Sequence, residues 1–573
     1  MTRSSSNDEQ VPCRLVRQAP EIGVERRAFP PQSPVPATPA FEQRLRRGMP
    51  SLRLATADKQ GRGGRRHNAN CRMTRRMAAA AGLALLWTTS GGARADVAGA
   101  GDLENTLVRV TVAFQQPDAG LPWRKQSPGI RHGYAVLLDE TRAVTTESLV
   151  RNHTMAEVQQ ARRGERIPAR VLMADPQANL ALLELPAGAA DWQPAPLARK
   201  LEADDRFHVF QFDENGQIQR GAAQTVRIAM TSLPNMAFPA LTFTVLTELN
   251  INGEGAAAMA GDSLAGLMIS YDKDTRTGAM IPYNALERFF ADATEPPYKG
   301  LATAGFSWAP LVDPVRRAFL HVQNQTGGIQ VLACLPGAGA MEALRPHDVI
   351  LSMDGFPIDN MGFYEDPDFG RLLFPHLITG RRKPGDTIRL ELVRDREPMD
   401  IELSLARYRD EYALIPENTE GHPAEYLVEG GLILRELSGD YLQAFGRNWA
   451  RRVDARLTDM YFSRRFLPDQ PGDRVVILSG VLPDAINIGY TRFSNAIVQA
   501  VNATPVSNLR DVFDVFDRDG AIYRVRLKSL ETDLVLDRAA LPAANTRIAA
   551  QYRIPNLQFR NREPFETESE NRP

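Results

Sequence analysis

The sequence predicts a mainly β protein in which an all-β barrel or sandwich region precedes two smaller α+β units. Short alternating or apolar runs separated by turns fill residues 103–290, as in LVRVTVAF, GYAVLLD and FHVFQF. A Pro-bearing connector, ATEPPYKG, and a polar one, RDEYALIPENTEGHPAEY, divide the remainder. A chain of 573 residues is also long enough for roughly three or four domains.

The first 95 residues differ in composition from the rest of the chain. They hold 17 Lys and Arg against 6 Asp and Glu, which leaves 51 against 63 downstream and a formal net charge of −12. An acidic body gives no electrostatic footprint for a phosphate backbone, so we expect no nucleic-acid partner. Residues 1–72 have no hydrophobic periodicity, which indicates a disordered leader or untranslated sequence, and residues 561–573 are expected to be a disordered tail.

Residues 73–95 have the pattern of a secretory signal. A basic start is followed by the apolar run AAAAGLALLW and by Ala93-Arg94-Ala95. An Arg-rich, acid-poor leader also fits import into a plastid or mitochondrion. The signal-like segment directly before Asp96 favours bacterial export, so we expect a periplasmic or secreted protein.

The three cysteines give no framework for cross-links or metal binding. Cys13 and Cys71 lie in the leader, and Cys334 sits in the apolar run GIQVLACLPG, where a small buried side chain is favoured over a reactive thiol. The mature chain has no CxxC or HxxxH pairing. We therefore expect no disulfide, no metal and no cofactor.

The two smaller units each combine strands with a helical signal. The middle unit, residues 301–408, has the strands GGIQVLA, DVILSMDG and TIRLELVRD, with a mixed helical signal, FGRLLFPHLI, that Pro375 is expected to kink or end. The last unit runs to about residue 559 and includes the amphipathic helix NLRDVFDVFDRD. Its apolar face holds Val512, Phe513 and Phe516, and its polar side holds Asp514 and Asp517.

Several long strings in these units resemble the Deg/HtrA family of exported serine proteases, above all its plant-type branch. In the last unit, EYLVEGGLILRELSGDYL, DRVVILSGVLPDAINIGY and AANTRIAAQYRIPN are similar to the specialised second PDZ domain of that branch. In the middle unit, GFSWAPL, DVILSMDGFPIDN and KPGDTIRLELVRD resemble its first PDZ domain. The resemblance implies a trypsin-like double barrel over residues 96–297, PDZ domains over 298–410 and 411–560, and homotrimeric assembly.

The same resemblance places the catalytic triad on residues that lack its chemistry. The family's histidine, aspartate and serine motifs match VTTESLV, DPQANLAL and NINGEGAA, which puts Ser148, Asn179 and Glu254 at the three positions. Acyl transfer needs a hydroxyl, an imidazole and an orienting carboxylate, and loss of one costs on the order of 10⁴ to 10⁶ in rate. Asn252 and Ala256 also replace two glycines of the anion-binding turn. We therefore expect a pseudoprotease.

The tripeptide Gly261-Asp262-Ser263 keeps an enzyme alternative open. It reads like the serine turn of a trypsin-like chain, although the match to the family places Ser263 on a hairpin. A weak serine endopeptidase could use Ser263 as a relocated nucleophile with His153 or His132. Both histidines are more typical of solvated loops.

Peptide binding is the function that the resemblance supports better. A PDZ domain receives a partner's C-terminal carboxylate in a backbone loop and adds the peptide to a sheet edge. The resemblance implies that this loop is Ala304-Gly305-Phe306-Ser307, with selection by Trp308 and by a following helix near Phe369, Leu372 and Leu373. Expected partners are C-terminal or unfolded peptides and active Deg/HtrA relatives. Whether the groove of the last unit is open or covered is left undecided by the sequence.

Overall fold

A computed structural model describes residues 105–560, apart from 161–164, 189–191, 202–205, 233–237, 336–337, 418–423, 447, 519 and 529–532. The predicted leader, signal and C-terminal tail lie outside the described residues, as do Cys13 and Cys71. In the part that is described, no helix has the length and apolarity needed to cross a bilayer.

Six antiparallel strands close into the first barrel, in the order β1-β2-β3-β6-β5-β4. They are β1 (Leu107–Phe114), β2 (Gly129–Leu137), β3 (Arg142–Thr145), β4 (His153–Gln160), β5 (Arg166–Asp175) and β6 (Leu180–Glu184), with α1 (Glu147–Val150) between β3 and β4. Val108, Val110 and Val112 of β1 are fully buried, which is the alternation expected when one face of a strand lines a core.

The second barrel also closes, in the order β10-β11-β12-β9-β8-β7. Its strands are β7 (Arg206–Phe212), β8 (Ile218–Thr231), β9 (Ala240–Thr247), β10 (Ala257–Ala260), β11 (Ser263–Met268) and β12 (Thr277–Pro282), followed by α2 (Tyr283–Thr294). Phe207, Phe212 and Phe243 are almost completely buried among the apolar residues of this barrel.

The middle unit is built on a six-stranded sheet in the order β14-β15-β16-β20-β21, with β17 beside β16. Its elements are β13 (Ala302–Thr303), β14 (Phe306–Pro310), α3 (Pro314–Phe319), β15 (Ile329–Cys334), α4 (Ala340–Ala343), β16 (Val349–Met353), β17 (Phe356–Pro357), β18 (Phe363–Asp366), β19 (Gly370–Leu373), α5 (Pro375–Thr379), β20 (Thr387–Arg394), β21 (Glu397–Ser404) and β22 (Ala406–Arg407).

The predicted helix over FGRLLFPHLI is wrong. Residues 370–373 form β19, which pairs with β18 in a hairpin, and Leu372 is a core residue only 1% exposed. Gly370 adopts φ +69°, a left-handed conformation that suits the turn of this hairpin. Pro375 begins α5 instead of ending a helix, because a residue without an N–H is favoured at the first helical position.

Cys334 lies at the end of β15 and is half-buried. Its thiol donates to the carbonyl of Leu344 at 3.5 Å, and burial raises the pKa of the thiol. Both features favour the neutral thiol over the reactive thiolate.

The last unit contains an eight-stranded sheet in the order β29-β28-β26-β25-β24-β23-β30, with β27 beside β26. Its elements are β23 (Tyr426–Glu429), β24 (Leu432–Glu436), α6 (Gly439–Gln443), α7 (Ala455–Arg464), β25 (Val476–Val481), β26 (Ala496–Val501), β27 (Thr504–Pro505), α8 (Leu509–Phe516), β28 (Ile522–Leu527), β29 (Leu534–Asp537), α9 (Leu541–Tyr552) and β30 (Gln558–Phe559). The predicted helix α8 is confirmed, with Val512, Phe513 and Phe516 buried and Asp514 and Asp517 exposed.

One continuous apolar cluster joins the barrels to the middle unit. Phe243 of β9 meets Phe369 of the β18–β19 hairpin edge-on, with 5.9 Å between the ring centres. The middle unit is therefore packed against the second barrel through core side chains and not only through the connector. The mainly β fold of two barrels followed by α+β units is as predicted.

Truncating Phe513 to alanine should destabilise the last unit by about 3–5 kcal/mol, the usual cost of removing a buried phenylalanine. Phe513 is 2% exposed, whereas Asp514, the next residue of the same helix, is exposed. Asp514→Ala is therefore the matched control and should change stability by less than about 0.5 kcal/mol. Hydrogen exchange of the β26 and β28 amides, followed by mass spectrometry, measures the difference. Equal exchange in the two variants would contradict the assignment of α8 to the core.

Candidate functional site

The loop that carries Glu254 passes so close to β2 that only glycine fits beside it. Gly255 adopts φ +82°, and a Cβ there would lie 2.1 Å from the carbonyl oxygen of Tyr134. A Cβ on Gly133 would lie 2.6 Å from the carbonyl oxygen of Glu254. The Tyr134 N–H donates to that same oxygen at 2.8 Å. Two glycines thus allow β2 to fix the backbone position of Glu254.

The structure brings the three predicted triad positions together. The Ser148 hydroxyl donates to Oε2 of Glu254, and the Thr146 hydroxyl donates to the same oxygen at 3.0 Å. The Ser148 backbone N–H donates to Oδ1 of Asn179 at 3.0 Å. Ser148, Asn179 and Glu254 therefore form one hydrogen-bonded chain, in which the hydroxyl is a donor to a carboxylate and, in the described part of the chain, has no hydrogen bond to an imidazole.

The residues of the enzyme alternative do not assemble in the described part of the chain. His132 Nδ1 pairs with the Thr111 hydroxyl at 3.2 Å, and His153 Nδ1 pairs with the carbonyl of Val150 at 3.0 Å. Ser263 begins β11 and pairs across the hairpin with Ala260, so its predicted hairpin position is what the structure has. No hydrogen bond joins Ser263 to either histidine among these residues. A serine nucleophile needs such a base within about 2.6–3.2 Å, although the distance is often longer without substrate.

The turn before Glu254 is tied inward to the barrel. The Asn252 N–H donates to Oε1 of Gln211 at 3.0 Å, and the Asn252 side-chain amide donates to the carbonyl of Phe212 at 3.1 Å. The Tyr134 hydroxyl donates to Oδ1 of Asn252 at 2.5 Å. A backbone N–H that already donates to Gln211 cannot also stabilise a developing oxyanion at full strength.

The turn that carries Asn179 is held by a buried aspartate. Oδ1 of Asp175 accepts the N–H groups of Gln177 at 2.7 Å and Ala178 at 3.3 Å. The Tyr298 hydroxyl, from the connector to the middle unit, donates to the other oxygen. Burial raises the pKa of Asp175. The connector and the Asn179 turn are thus joined through one carboxyl group.

A buried ion pair and an arginine hold α1 in place. The guanidinium of Arg151 meets the Glu147 carboxylate in two bonds of 2.8 and 2.7 Å, and both side chains are largely buried. Arg131 donates to the carbonyls of Ser148 at 3.1 Å and Arg151 at 2.9 Å. Because α1 is only four residues long, these charged side chains and not the helix itself fix the position of Ser148.

In the middle unit, the residues predicted to bind a peptide terminus lie at the start of an edge strand. β14 is the last strand on its side of the sheet. The Leu335 N–H donates to the carbonyl of Gly305 at 2.7 Å, and Phe306 pairs with Cys334. In an antiparallel ladder this register turns the N–H and C=O of Phe306 away from β15, toward the open edge.

Gly305 is required by the packing of this loop. It adopts φ +71°, and a Cβ would lie 2.0 Å from the Cβ of Ala338. Trp308 of β14 meets Phe374 edge-on at 5.0 Å between ring centres, and its ring also covers Gly362. Ala304 is buried and Ser307 is half-buried. Leu372 belongs to the core behind this edge, so its predicted position on a helix beside the groove is wrong.

A pocket of about 370 Å³ opens beside Gly305. Thr303, Leu335 and Ala338 of the middle unit line one side, while Arg407, Arg409 and Tyr412 line the other. Arg407 and Arg409 thus add positive charge to the lining of this pocket, which favours an anionic group there.

In the last unit, the corresponding edge is covered by the chain itself. β23 pairs antiparallel with β24, from Tyr426 opposite Arg435 to Glu429 opposite Leu432, and β30 adds outside β23. At the other edge of the sheet, the Tyr490 hydroxyl accepts from the Val535 N–H at 3.0 Å and donates to the Val535 carbonyl at 3.2 Å. The groove that the sequence left undecided is therefore covered along β24.

Comparisons with known proteins agree with this architecture. A PDZ domain family model matches residues 415–558. Protease Do-like 2, chloroplastic, from Arabidopsis thaliana is 24% identical over 467 residues, which cover 79% of this chain and 74% of the relative. Putative protease Do-like 3, mitochondrial, from the same plant is 22% identical, with 80% of each chain covered. The chain belongs to the Deg/HtrA family.

Among solved structures, this Deg/HtrA chain is similar to HtrA-type protease AlgW with decapeptide, with a TM-score of 0.42 and 16% identity over 54% of this chain and 99% of the other. The serine endoprotease from Yersinia pestis gives a TM-score of 0.37 and 14% identity over 53% of this chain and 95% of the other.

Several residues that shape the site of this Deg/HtrA protein were missed from the sequence. Gln211 sits in the apolar strand FHVFQF and is 1% exposed. A single amide in a strand otherwise rich in apolar residues could have signalled a buried hydrogen-bonding role. Arg131 and Tyr298 gave no comparable local signal, since their partners lie far away in the sequence.

A buried polar network supports the wall of the middle-unit groove next to Phe374. The Tyr364 hydroxyl donates to Asp366 at 2.5 Å and accepts from Nδ1 of His376 at 2.6 Å, while Arg381 pairs with Asp366 at 2.7 Å. His376 is 1% exposed, and its Nε2 has no hydrogen-bond partner among the described residues. Burial lowers the pKa of His376 from 6.5 to about 4.

The stability of the middle unit should therefore fall as the pH drops from about 6.5 to about 4. Because the folded-state pKa lies below the unfolded-state pKa, the unfolded chain binds the proton more readily within this window, so acid favours unfolding. Asp366 contributes in the same direction at lower pH, because its pKa is also lowered. Replacing His376 with glutamine removes the titration and should flatten this part of the profile. Urea unfolding at several pH values, followed by exchange of the β20 amides, tests this; an unchanged slope in the variant would contradict it.

Proposed function

We propose that this chain is an exported Deg/HtrA-like pseudoprotease that binds C-terminal or unfolded peptides through its middle unit. It would act as an adaptor, a regulator of active relatives or a holding chaperone in protein quality control. The observation that carries the proposal is the Glu254 carboxylate, which accepts the Ser148 and Thr146 hydroxyls where a catalytic serine would stand by resemblance. Membership of the family gives the coarser role, proteolysis or peptide binding.

The loss of proteolysis is supported by three features of the site. The Ser148 hydroxyl has no hydrogen bond to an imidazole among the described residues, the Asn252 N–H already donates to Gln211, and a carboxylate stands where negative charge would develop. Each feature opposes acyl transfer separately. The reaction needs a base for the hydroxyl, an N–H donor for the oxyanion and no negative charge next to that oxyanion. The serine-directed alternative would have to rely on Ser263, which pairs within a hairpin.

Peptide binding is supported by the free edge of β14. Phe306 turns its N–H outward, and Arg407 and Arg409 line the pocket at the end of the strand where a terminal carboxylate would lie. The covered edge of the last unit leaves the middle unit as the place for β-strand addition. Export to the periplasm or the exterior is part of the proposal and depends on residues 73–95. Assembly as homotrimers also belongs to the proposal.

Purified residues 96–573 should leave unfolded casein intact over hours at several temperatures. Ser263→Ala should behave the same, because the proposal gives that hydroxyl no role. A triple variant, Ser148→His with Asn179→Asp and Glu254→Ser, restores the three side chains of the triad. Cleavage of casein by this variant would show that the barrel is folded. Cleavage by the parent that disappears in Ser263→Ala would sink the pseudoprotease proposal and support a relocated nucleophile.

Peptides with a free C-terminus should bind the middle unit at least tenfold more tightly than the same peptides with an amidated terminus, since a hydrogen bond to a charged group contributes about 1.5–3 kcal/mol. Gly305→Ala should abolish the difference, because the new Cβ meets Ala338. Gly355→Ala is the matched control, since Gly355 also has a positive φ but has nothing within 4 Å. Fluorescence anisotropy across a peptide library measures both. Equal affinity for free and amidated peptides would count against carboxylate recognition.

A further inference from the structure

A second, larger pocket lies where the second barrel, the connector and the middle unit meet. It holds about 880 Å³ and opens to solvent. Most of its wall is apolar and comes from Ala178, Leu241, Ile281, Ala285, Phe289 and Leu301. Thr379, Gly380 and Pro384 of the middle unit close the opposite side. A concave, mainly apolar site between domains is typical of small-molecule binding.

One cationic side chain in this wall, Arg288, makes no direct ion pair among the described residues, although Asp292 and Asp386 lie near enough to act on its charge. Arg288 of α2 donates to the backbone carbonyls of Thr379 and Arg382, the second at 2.5 Å. Its other three N–H donors have no acceptor among the described residues, and no carboxylate lies within ion-pair distance of it there. Burial lowers the pKa of Arg288, and the two aspartates oppose this shift. A half-buried guanidinium with three unused N–H donors and no direct ion pair favours an anionic ligand.

The rest of the polar lining is also biased toward a negative ligand. Lys299 and Lys383 are exposed residues of the lining. Asp292 is the acidic residue of the lining, and its oxygens already accept the N–H groups of Lys299 and Gly300, at 2.7 to 3.1 Å. Three cationic residues thus face one carboxylate whose oxygens are already engaged.

We propose that this pocket binds a carboxylate carried on a short apolar tail, with the carboxylate at Arg288 and the tail against Leu241, Ile281 and Phe289. A guanidinium offers paired N–H donors that match a carboxylate, and the apolar wall excludes a highly charged or strongly hydrated ligand. Free medium-chain fatty acids and the apolar C-terminus of a peptide share this chemistry. The site is separate from β14 and does not depend on peptide binding there.

The position of the pocket gives its occupation a structural consequence. Ala178, in its wall, directly precedes Asn179, and Tyr298 joins the same pocket to Asp175. Arg288 joins the second barrel to the backbone of the middle unit. A bound ligand would therefore contact the barrels, the connector and the middle unit together and should stabilise their association.

Isothermal titration of the full chain with decanoate and with decanol tests the charge and the tail separately. Decanoate should bind at least tenfold more tightly than decanol. In Arg288→Met this preference should disappear. Arg389→Met is the control and should keep the preference, because Arg389 is an exposed residue of β20 that pairs with Asp400. An acetylated Ala-Leu-Phe peptide with a free terminus distinguishes the peptide source from the fatty-acid source, and tight binding of either supports the proposal.

Because Arg288 also holds two backbone carbonyls, its replacement could disturb folding. Ala285→Phe fills the pocket without removing a hydrogen bond and should abolish binding of decanoate and of the peptide. Lys383→Met removes an exposed charge and should weaken decanoate binding about threefold to tenfold while leaving decanol unchanged. Unchanged decanoate binding in Ala285→Phe, equal binding of decanoate and decanol to the parent, or no binding of either carboxylate up to millimolar concentration would overturn the proposal.

Discussion

The close approach of the Gly133-Tyr134 backbone to the Glu254-Gly255 backbone is the constraint on which the candidate site depends. Neither glycine has room for a Cβ, and the Tyr134 N–H bonds to the carbonyl of Glu254 across this gap. The approach fixes the loop of one barrel against a strand of the other. It thereby brings Glu254 within reach of Ser148 and Thr146, which follow β3. A larger residue at either glycine would separate the two barrels before it altered any side chain of the site.

The groups around this contact would exchange hydrogen bonds during catalysis. In this protein they are instead hydrogen-bonded to other groups of the same chain. The Glu254 carboxylate accepts two hydroxyl donors, and Asn252 is bonded through both its backbone and its side chain. Such a network lowers the cost of keeping a carboxylate half-buried, since each donor replaces a lost water. The site is therefore well satisfied as it stands, which agrees with the proposed loss of proteolysis.

The sequence predicted the barrels and α8 because alternation and helical spacing are local signals, as the buried Val108, Val110 and Val112 illustrate. It also predicted that Ser148, Asn179 and Glu254 belong together, through resemblance to a family. It failed at residues 370–373, where a run of apolar residues suits a strand or a helix equally and the Gly370 turn decided the outcome. Gln211, Arg131 and Tyr298 were missed because their partners are set by tertiary packing. The pairing of β30 with β23 is likewise long-range, whereas β23 and β24 form a local hairpin.

The bonding of the Tyr490 hydroxyl to Val535 of β29 affects how the protein behaves at high concentration. An exposed strand edge is a template on which another chain can pair, and it is a common start of aggregation. By occupying both the N–H and the C=O of Val535, one phenol interrupts the row of free groups that such pairing needs. At the opposite end of this sheet β30 is only two residues long. A protein proposed to bind unfolded chains thus carries, in its last unit, a sheet whose edges offer those chains few free groups for pairing.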